Sequence, residues 1–421
     1  MLPVGSSFRR KPEELLTEGH GVGSLESLRE QNRRRVIRVL QAAGPVSRAE
    51  IARQTGLSRT TISSLVAGLQ AAGLVSEAGD GQRQAPGAQG GRPPVLITLD
   101  PGAGVAVGID LGHQHLRVAV ADLGHRILAE AVHEFDVDRH AAQALDTAAR
   151  LVERVLRQAG VERRQVIGVG AGLPGPLDRA TGMVGDSTLL PGWVGLRAAE
   201  ELERRLGLPV AADNDANLGA LAECRWGAGQ GCAEVAYIKA SYGIGAGLML
   251  GGRLHAGAAG TAGEIGHTVI DETGPVCRCG NRGCLTILSG GHAILGLLRP
   301  YLGDGVSLRE VVRRALEGDA GCRRAIADAG RYIGIAVANL CNLVNPERVI
   351  VGGDMSLAGE VLLEPLREAV RRSAIRSAAE TARIVAGVLG ERAEVLGALA
   401  LVLRDSDRFL SSQLRLAAGP R

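Results

Sequence analysis

Aromatic residues are nearly absent from this chain, at 2% of 421 positions. So few rings cannot form a surface that stacks successive bases, which excludes a single-strand nucleic-acid platform. No run of 18 apolar residues occurs, and Met1 to Gly21 carries Pro3, Pro12 and several charges where a leader would need an apolar stretch. Neither membrane insertion nor export is expected. The seven cysteines are odd in number and form no disulfide framework, which suits a reducing, cytoplasmic setting. Net charge is only +3, so the whole surface does not advertise a polyanion partner.

What is present is glycine, at 60 residues, and a length too great for one ordinary core. Two or three folded units are expected. The charge is also unevenly placed: residues 1–100 hold 13 Arg or Lys against 9 Asp or Glu, so the excess positive charge is N-terminal, concentrated at Arg33, Arg34, Arg35 and Arg38.

Residues 1–23 read as an aperiodic tail. Ser24 to Ala43 then reads as a helix with Leu25, Leu28, Val36, Val39 and Leu40 as its apolar stripe, stopped by Gly44-Pro45. Ser47-Arg48-Ala49-Glu50 is a capping box opening a short helix that ends at Gly56. Ser58 caps a third helix whose apolar set, Ile62, Leu65, Val66 and Leu69, follows helical spacing. Two short helices joined by a glycine turn make a helix-turn-helix. Its candidate DNA-contacting residues are Ser58, Arg59, Thr60, Thr61, Ser63 and Ser64, small enough to enter a major groove, with Arg59 long enough to reach guanine or phosphate. Strands beginning near Val75 and spanning Val95 to Leu99 complete a winged hairpin, with Arg92 of its loop placed for a minor groove. This unit, with its linker, is assigned to residues 24–94.

Strands then alternate with helices. Val105 to Gly112 with Leu116 to Ala121, Val166 to Ala171 and Leu208 to Ala212 form one strand set, with helices near 141–158 and 218–225. Val235 to Ala240, Gly247 to Leu250 and Val349 to Val351 form a second, with helices near 291–300, 307–317, 321–343, 360–373 and 392–404. Two such sets imply an α/β unit of two lobes with a cleft between them.

Within that unit His267, Cys277, Cys279 and Cys284 are spaced as ligands of a closed tetrahedral shell, the donor set of a structural Zn²⁺. Gly280, Asn281 and Gly283 let the backbone curl between the sulfurs. His113 and His115 are read as solvent-facing or packing residues, because no third ligand is visible beside them.

These segments, with Gly172-Leu173-Pro174-Gly175-Pro176, Leu190-Pro191-Gly192-Trp193, Asp213-Asn214-Asp215-Ala216-Asn217, Glu264-Ile265-Gly266-His267 and Val351-Gly352-Gly353, stand in the order found in the ROK family of repressors and sugar kinases. The chain resembles that family over about residues 95–405, followed by a tail at 406–421, and its N-terminal unit resembles the family's repressor branch. The resemblance implies a two-lobed, sugar-kinase-like domain of the actin/hexokinase type. It also implies a sugar pocket at Asn214, Asp215, Glu264 and His267, dimers or tetramers, and a double-stranded operator. In the kinases Asp215 would be the general base; a plainer reading makes it a helix cap. Two departures bear on activity. His113-Gln114 replaces Gly-Thr of the first phosphate loop and Tyr242 replaces Thr of the second; in the sugar pocket, Leu189 and Thr286 replace an Asn and a Glu. The expectation is a DNA-binding regulator with a catalytically silent sugar-sensing domain, set against an active sugar kinase with a DNA-binding head.

Overall fold

The computed structural model describes residues 25–78, 95–184 and 192–404. The expected tails, Arg92 and Leu189 lie outside them. The chain divides into two compact units between Leu99 and Asp100.

The first unit runs α1 (Leu25–Ala43), β1 (Val46–Ser47), α2 (Arg48–Thr55), α3 (Arg59–Ala71), β2 (Val75–Glu77) and β3 (Leu96–Leu99). Strand β3 lies between the other two, antiparallel to both, with Ile97 opposite Val46 on one side and Glu77 on the other. Period-two alternation buries Ile97 and Leu99 in the core of this unit. The boundary expected at residue 94 therefore falls after Leu99. Strand β1 is too short for its pattern to show in sequence. Val36, Ile37 and Leu40 carry α1 into the core, whereas Leu28, expected in the stripe, is 51% exposed. Only half of the capping box forms: Ser47 Oγ accepts from Glu50 N at 3.2 Å, but the Glu50 carboxylate turns to Arg53 and Gln54. A guanidinium within one turn competes better for it than the backbone N–H does.

The second unit begins with β4 (Val105–Leu111), β5 (His115–Asp122), β6 (Ile127–Glu134), α4 (Ala141–Ala159), β7 (Val166–Leu173), α5 (Ala198–Leu206), β8 (Val210–Asn214) and α6 (Asp215–Trp226). Its sheet has the order β6-β5-β4-β7-β8, antiparallel across the first three strands and parallel from β4 to β8. A second sheet, β11-β10-β9-β12-β13, is built from β9 (Val235–Ala240), β10 (Ile244–Leu250), β11 (Arg253–Leu254), β12 (Arg348–Gly352) and β13 (Arg383–Ala386). Around it pack α7 (Leu285–Ser289), α8 (Gly291–Leu302), α9 (Leu308–Leu316), α10 (Ala320–Val344), α11 (Glu360–Ser373) and α12 (Arg376–Thr381). The last described helix, α13 (Ala393–Arg404), returns to the first lobe and lies on β4 and β7. It lies so close that a Cβ on Gly108 would meet Val395 O at 2.6 Å and one on Gly170 would meet Ala398 O at 2.0 Å.

Helices on both faces leave β4 and β7 wholly buried, which is why both read as apolar runs, interrupted only by Asp110 in β4. The carboxyl ends of β4, β7, β8, β9 and β12 all open on one cleft between the lobes. That is where open α/β sheets leave room for a ligand.

Candidate functional site

In the first unit Gly56, at φ 71, ends α2 in the left-handed region that glycine adopts without cost, and Ser58 caps α3 by accepting from Thr61 N at 3.1 Å. Helix α3 exposes Ser58, Arg59, Thr60, Ser63 and Ser64 on one face while Ile62, Leu65, Val66 and Leu69 are buried on the other. Thr61 is half buried with its hydroxyl 2.8 Å from Ser58 Oγ, so it braces the cap more than it offers a contact. The arrangement presents a short, polar, cationic helix face of the width a major groove admits.

In the second unit His267, Cys277, Cys279 and Cys284 converge with their donor atoms all within 4.8 Å of one another. The Cys279 and Cys284 sulfurs are 3.6 Å apart, and Cys277 Sγ is 3.8 Å from His267 Nδ1. A tetrahedral zinc with Zn–S near 2.3 Å requires edges of about 3.8 Å, so the donor set fits that ion. Burial lowers the His267 pKa, favouring the neutral imidazole that a metal takes. With Nδ1 toward the sulfurs, the same ring also lines the cleft.

Behind this knuckle lies a cavity of about 170 Å³ lined by Asn214, Asp215, Glu264, His267 and Thr286. All four residues expected to bind ligand are thus brought together. Their offers differ. Asn214 is the residue that caps α6, its Oδ1 accepting from Ala216 N at 2.9 Å and Asn217 N at 3.3 Å, while its Nδ2 donates to Gly175 O. Asp215 therefore is not the cap. It is buried, with Oδ1 accepting from Ala216 N at 2.7 Å and Oδ2 paired to the Lys239 ammonium at 2.7 Å. Burial, and then the Asp215 charge, push Glu264 up to about 7, so near neutrality it both donates and accepts.

Lys239 is the residue that sequence reasoning missed. Alternation along β9 sends Ala236, Ile238 and Ala240 into the helical core and Tyr237 and Lys239 to the other face. There the ammonium sits between Asp215 and Glu394, the latter at 3.7 Å, with Asp110 also acting on it. Burial alone would strip its proton; the carboxylates instead hold its pKa above the ordinary value. The available signal was composition: Lys239 is one of only two lysines in the chain, set inside an apolar strand.

Toward the other end the cleft narrows to a space of about 30 Å³. His115 Nε2 lies 2.8 Å from Asp110 Oδ2 and covers it. Burial opposes charge on both, yet each stabilises the other, raising the His115 pKa and lowering that of Asp110. His113 Nδ1 is 2.7 Å from Asp138 Oδ1, and its ring lies near those of Tyr242 and His292. The two histidines, expected to face solvent or pack, are each held by a carboxylate, and they point to different partners. Arg309 pairs with Asp354 at 3.3 Å and Glu391 at 2.9 Å across the same compartment.

Residues 106–405 match the ROK family, and residues 31–84 match the MarR family. The chain is 31% identical over 403 residues to the xylose repressor of Caldicellulosiruptor bescii, covering 92% of this chain and 99% of that protein. Among solved structures, a ROK family transcriptional regulator that is a homologue of the Escherichia coli MLC protein shares 26% identity and a TM-score of 0.74, with 92% of this chain and 99% of that chain covered. A ROK family glucokinase from Streptomyces griseus, in complex with glucose and AMPPNP, shares 30% identity and a TM-score of 0.62 over 71% of this chain and 99% of its own.

Proposed function

The chain belongs to the ROK family, and on that premise we propose that it is a DNA-binding transcriptional repressor of sugar-related genes, working in the cytoplasm, whose ROK domain senses a sugar or sugar derivative without phosphorylating it. The observation that carries this is the contrast between the two ends of the cleft. The sugar side keeps an open cavity with Asp215, Glu264 and His267 at its wall, while the narrower compartment is occupied by His115 on Asp110 and by Arg309 paired to Asp354 and Glu391. Phosphoryl transfer depends on positioning and charge stabilisation at the γ-phosphate, so a filled compartment removes the chemistry and leaves the binding. Zn²⁺ held by His267, Cys277, Cys279 and Cys284 is structural in this reading, fixing the loop that carries Glu264 and His267. The exposed face of α3 reads the operator, and a two-fold assembly sets two such helices about 34 Å apart. Ligand in the cleft shifts the lobes and with them operator affinity, which requires unequal affinity for two states.

Fluorescence anisotropy on DNA upstream of the protein's own gene, across a salt series and a panel of pentoses, hexoses and N-acetylhexosamines, tests this. Selective, salt-sensitive binding relieved by one sugar is the expected result. Equal affinity for random DNA overturns the regulator, and ADP release at ordinary turnover with any sugar of the panel overturns the silent domain in favour of a kinase.

A further inference from the structure

A second cluster of metal-binding side chains stands at the mouth of the cleft, apart from the cysteine knuckle. We propose that His113, Asp138 and His292 form a divalent transition-metal site that bridges the two lobes. Their donor atoms all lie within 4.8 Å of one another. His113, between β4 and β5, and Asp138, after β6, belong to the first lobe, and His292 is the second residue of α8 in the other. Two imidazoles and a carboxylate suit Zn²⁺, Co²⁺ or Ni²⁺ and leave coordination positions open.

The first-lobe pair is preorganised. Val137 N donates to His113 O at 3.1 Å, the buried Trp193 indole N–H donates to Val137 O at 2.7 Å, and Gly192 N donates to Asp138 O at 3.4 Å, so the backbone is held on both sides of the Asp138 side chain. Asp138 Oδ1 then meets His113 Nδ1 at 2.7 Å. His292 is the adjustable member: its side chain is 53% exposed and its Nε2 is 4.0 Å from Asp138 Oδ2. Ligands that share an ion at about 2.1 Å stand about 3.0 Å apart in an octahedron and about 3.4 Å in a tetrahedron, so His292 closes by roughly 0.6–1 Å and the His113–Asp138 pair opens by a few tenths, both within reach of rotamer adjustments. Gly291 N and His292 N donate to Ser241 O and Tyr242 O, which ties the start of α8 to the loop after β9. All three ligands line the cavity, so the open positions face the bound ligand.

The inference is independent of the DNA reading, and the knuckle's ion is the second equivalent in the count that follows. Equilibrium dialysis of the full chain against Zn²⁺, followed by elemental analysis, tests it on the wild type, His292→Ala and Asp138→Asn. The expected result is two equivalents in the wild type and one in each variant. With Co²⁺ as probe, the equivalent that persists shows thiolate charge transfer, and the lost one does not. The same metal content in the wild type and in the variants, whether one equivalent or two, overturns the site. His292→Ala alone decides should Asp138→Asn fail to fold, because His292 is a surface residue.

Discussion

Lys239 is a buried ammonium on which three carboxylates act. Asp215 and Glu394 flank it, Tyr237 Oη donates to Glu394 Oε1 at 3.1 Å, and Asp110 adds to the field. Removing one partner of such a cluster strands the rest, so Lys239→Met should destabilise the protein by about 3–5 kcal/mol in urea unfolding. Lys239→Arg should recover only part of this, since a planar guanidinium does not occupy the place of a compact ammonium. A second residue carries a pH effect. His125 has φ 68 and lies edge-on to Trp226 at 5.3 Å between ring centroids. Burial, helped by Arg225, lowers its pKa from 6.5 to about 4. A folded pKa below the unfolded one means the unfolded chain binds the extra proton first, so this contribution is complete above pH 6.5 and disappears as pH falls toward 4. Its size is at most about 3 kcal/mol, and His125→Asn, which also tolerates a left-handed backbone, should flatten the urea midpoint across that window. An unchanged slope would place the acid sensitivity elsewhere.

At the scale of elements, the head and the knuckle were the most legible parts of the sequence, because both are written in local chemistry. Ser58 to Leu69 states its cap and its buried face within twelve residues, and three thiols with one imidazole announce by donor type the cluster that the fold draws together. Those elements yield separable tests. Ser58→Ala should cost about 1 kcal/mol of head stability by removing the cap of α3. Arg59→Ala should leave stability alone and weaken operator binding by about 1–3 kcal/mol in anisotropy titrations. Cys279→Ser should remove one equivalent of zinc per chain by elemental analysis, and should blunt the sugar response with it. What was not legible depended on partners distant in the chain. Strand β6 is half buried at a sheet edge, so its alternation is weak. β1 is two residues long and exists because β3 pairs with it. The carboxylate partner of His113 and the three that surround Lys239 are assembled by the sheet order, which no local pattern encodes, whereas His115 finds Asp110 within its own hairpin.

For the whole molecule, the two-lobed frame was legible from its two strand sets, while the closure of the first lobe by α13 was not. Helix α13 is sequestered between the glycine-bearing faces of β4 and β7 and the helix α6, where a Cβ on Gly397 would meet Leu218 O at 2.0 Å. A chain stopped at Arg392 should therefore be recovered as aggregate, with the near-complete chain to Arg404 soluble, as read by sedimentation of the expressed material. The order of synthesis gives this contact a further meaning. The strand that begins at Val105 leaves the ribosome early, but the helix that covers it is made almost last. The DNA-binding head can finish folding while the lobe beside it in sequence waits, apolar face open, for nearly the whole remaining message to be translated. Long-range closure of this kind slows folding and lengthens exposure to aggregation, so the cell's supply of chaperones, more than the stability of the finished fold, would set how much repressor accumulates.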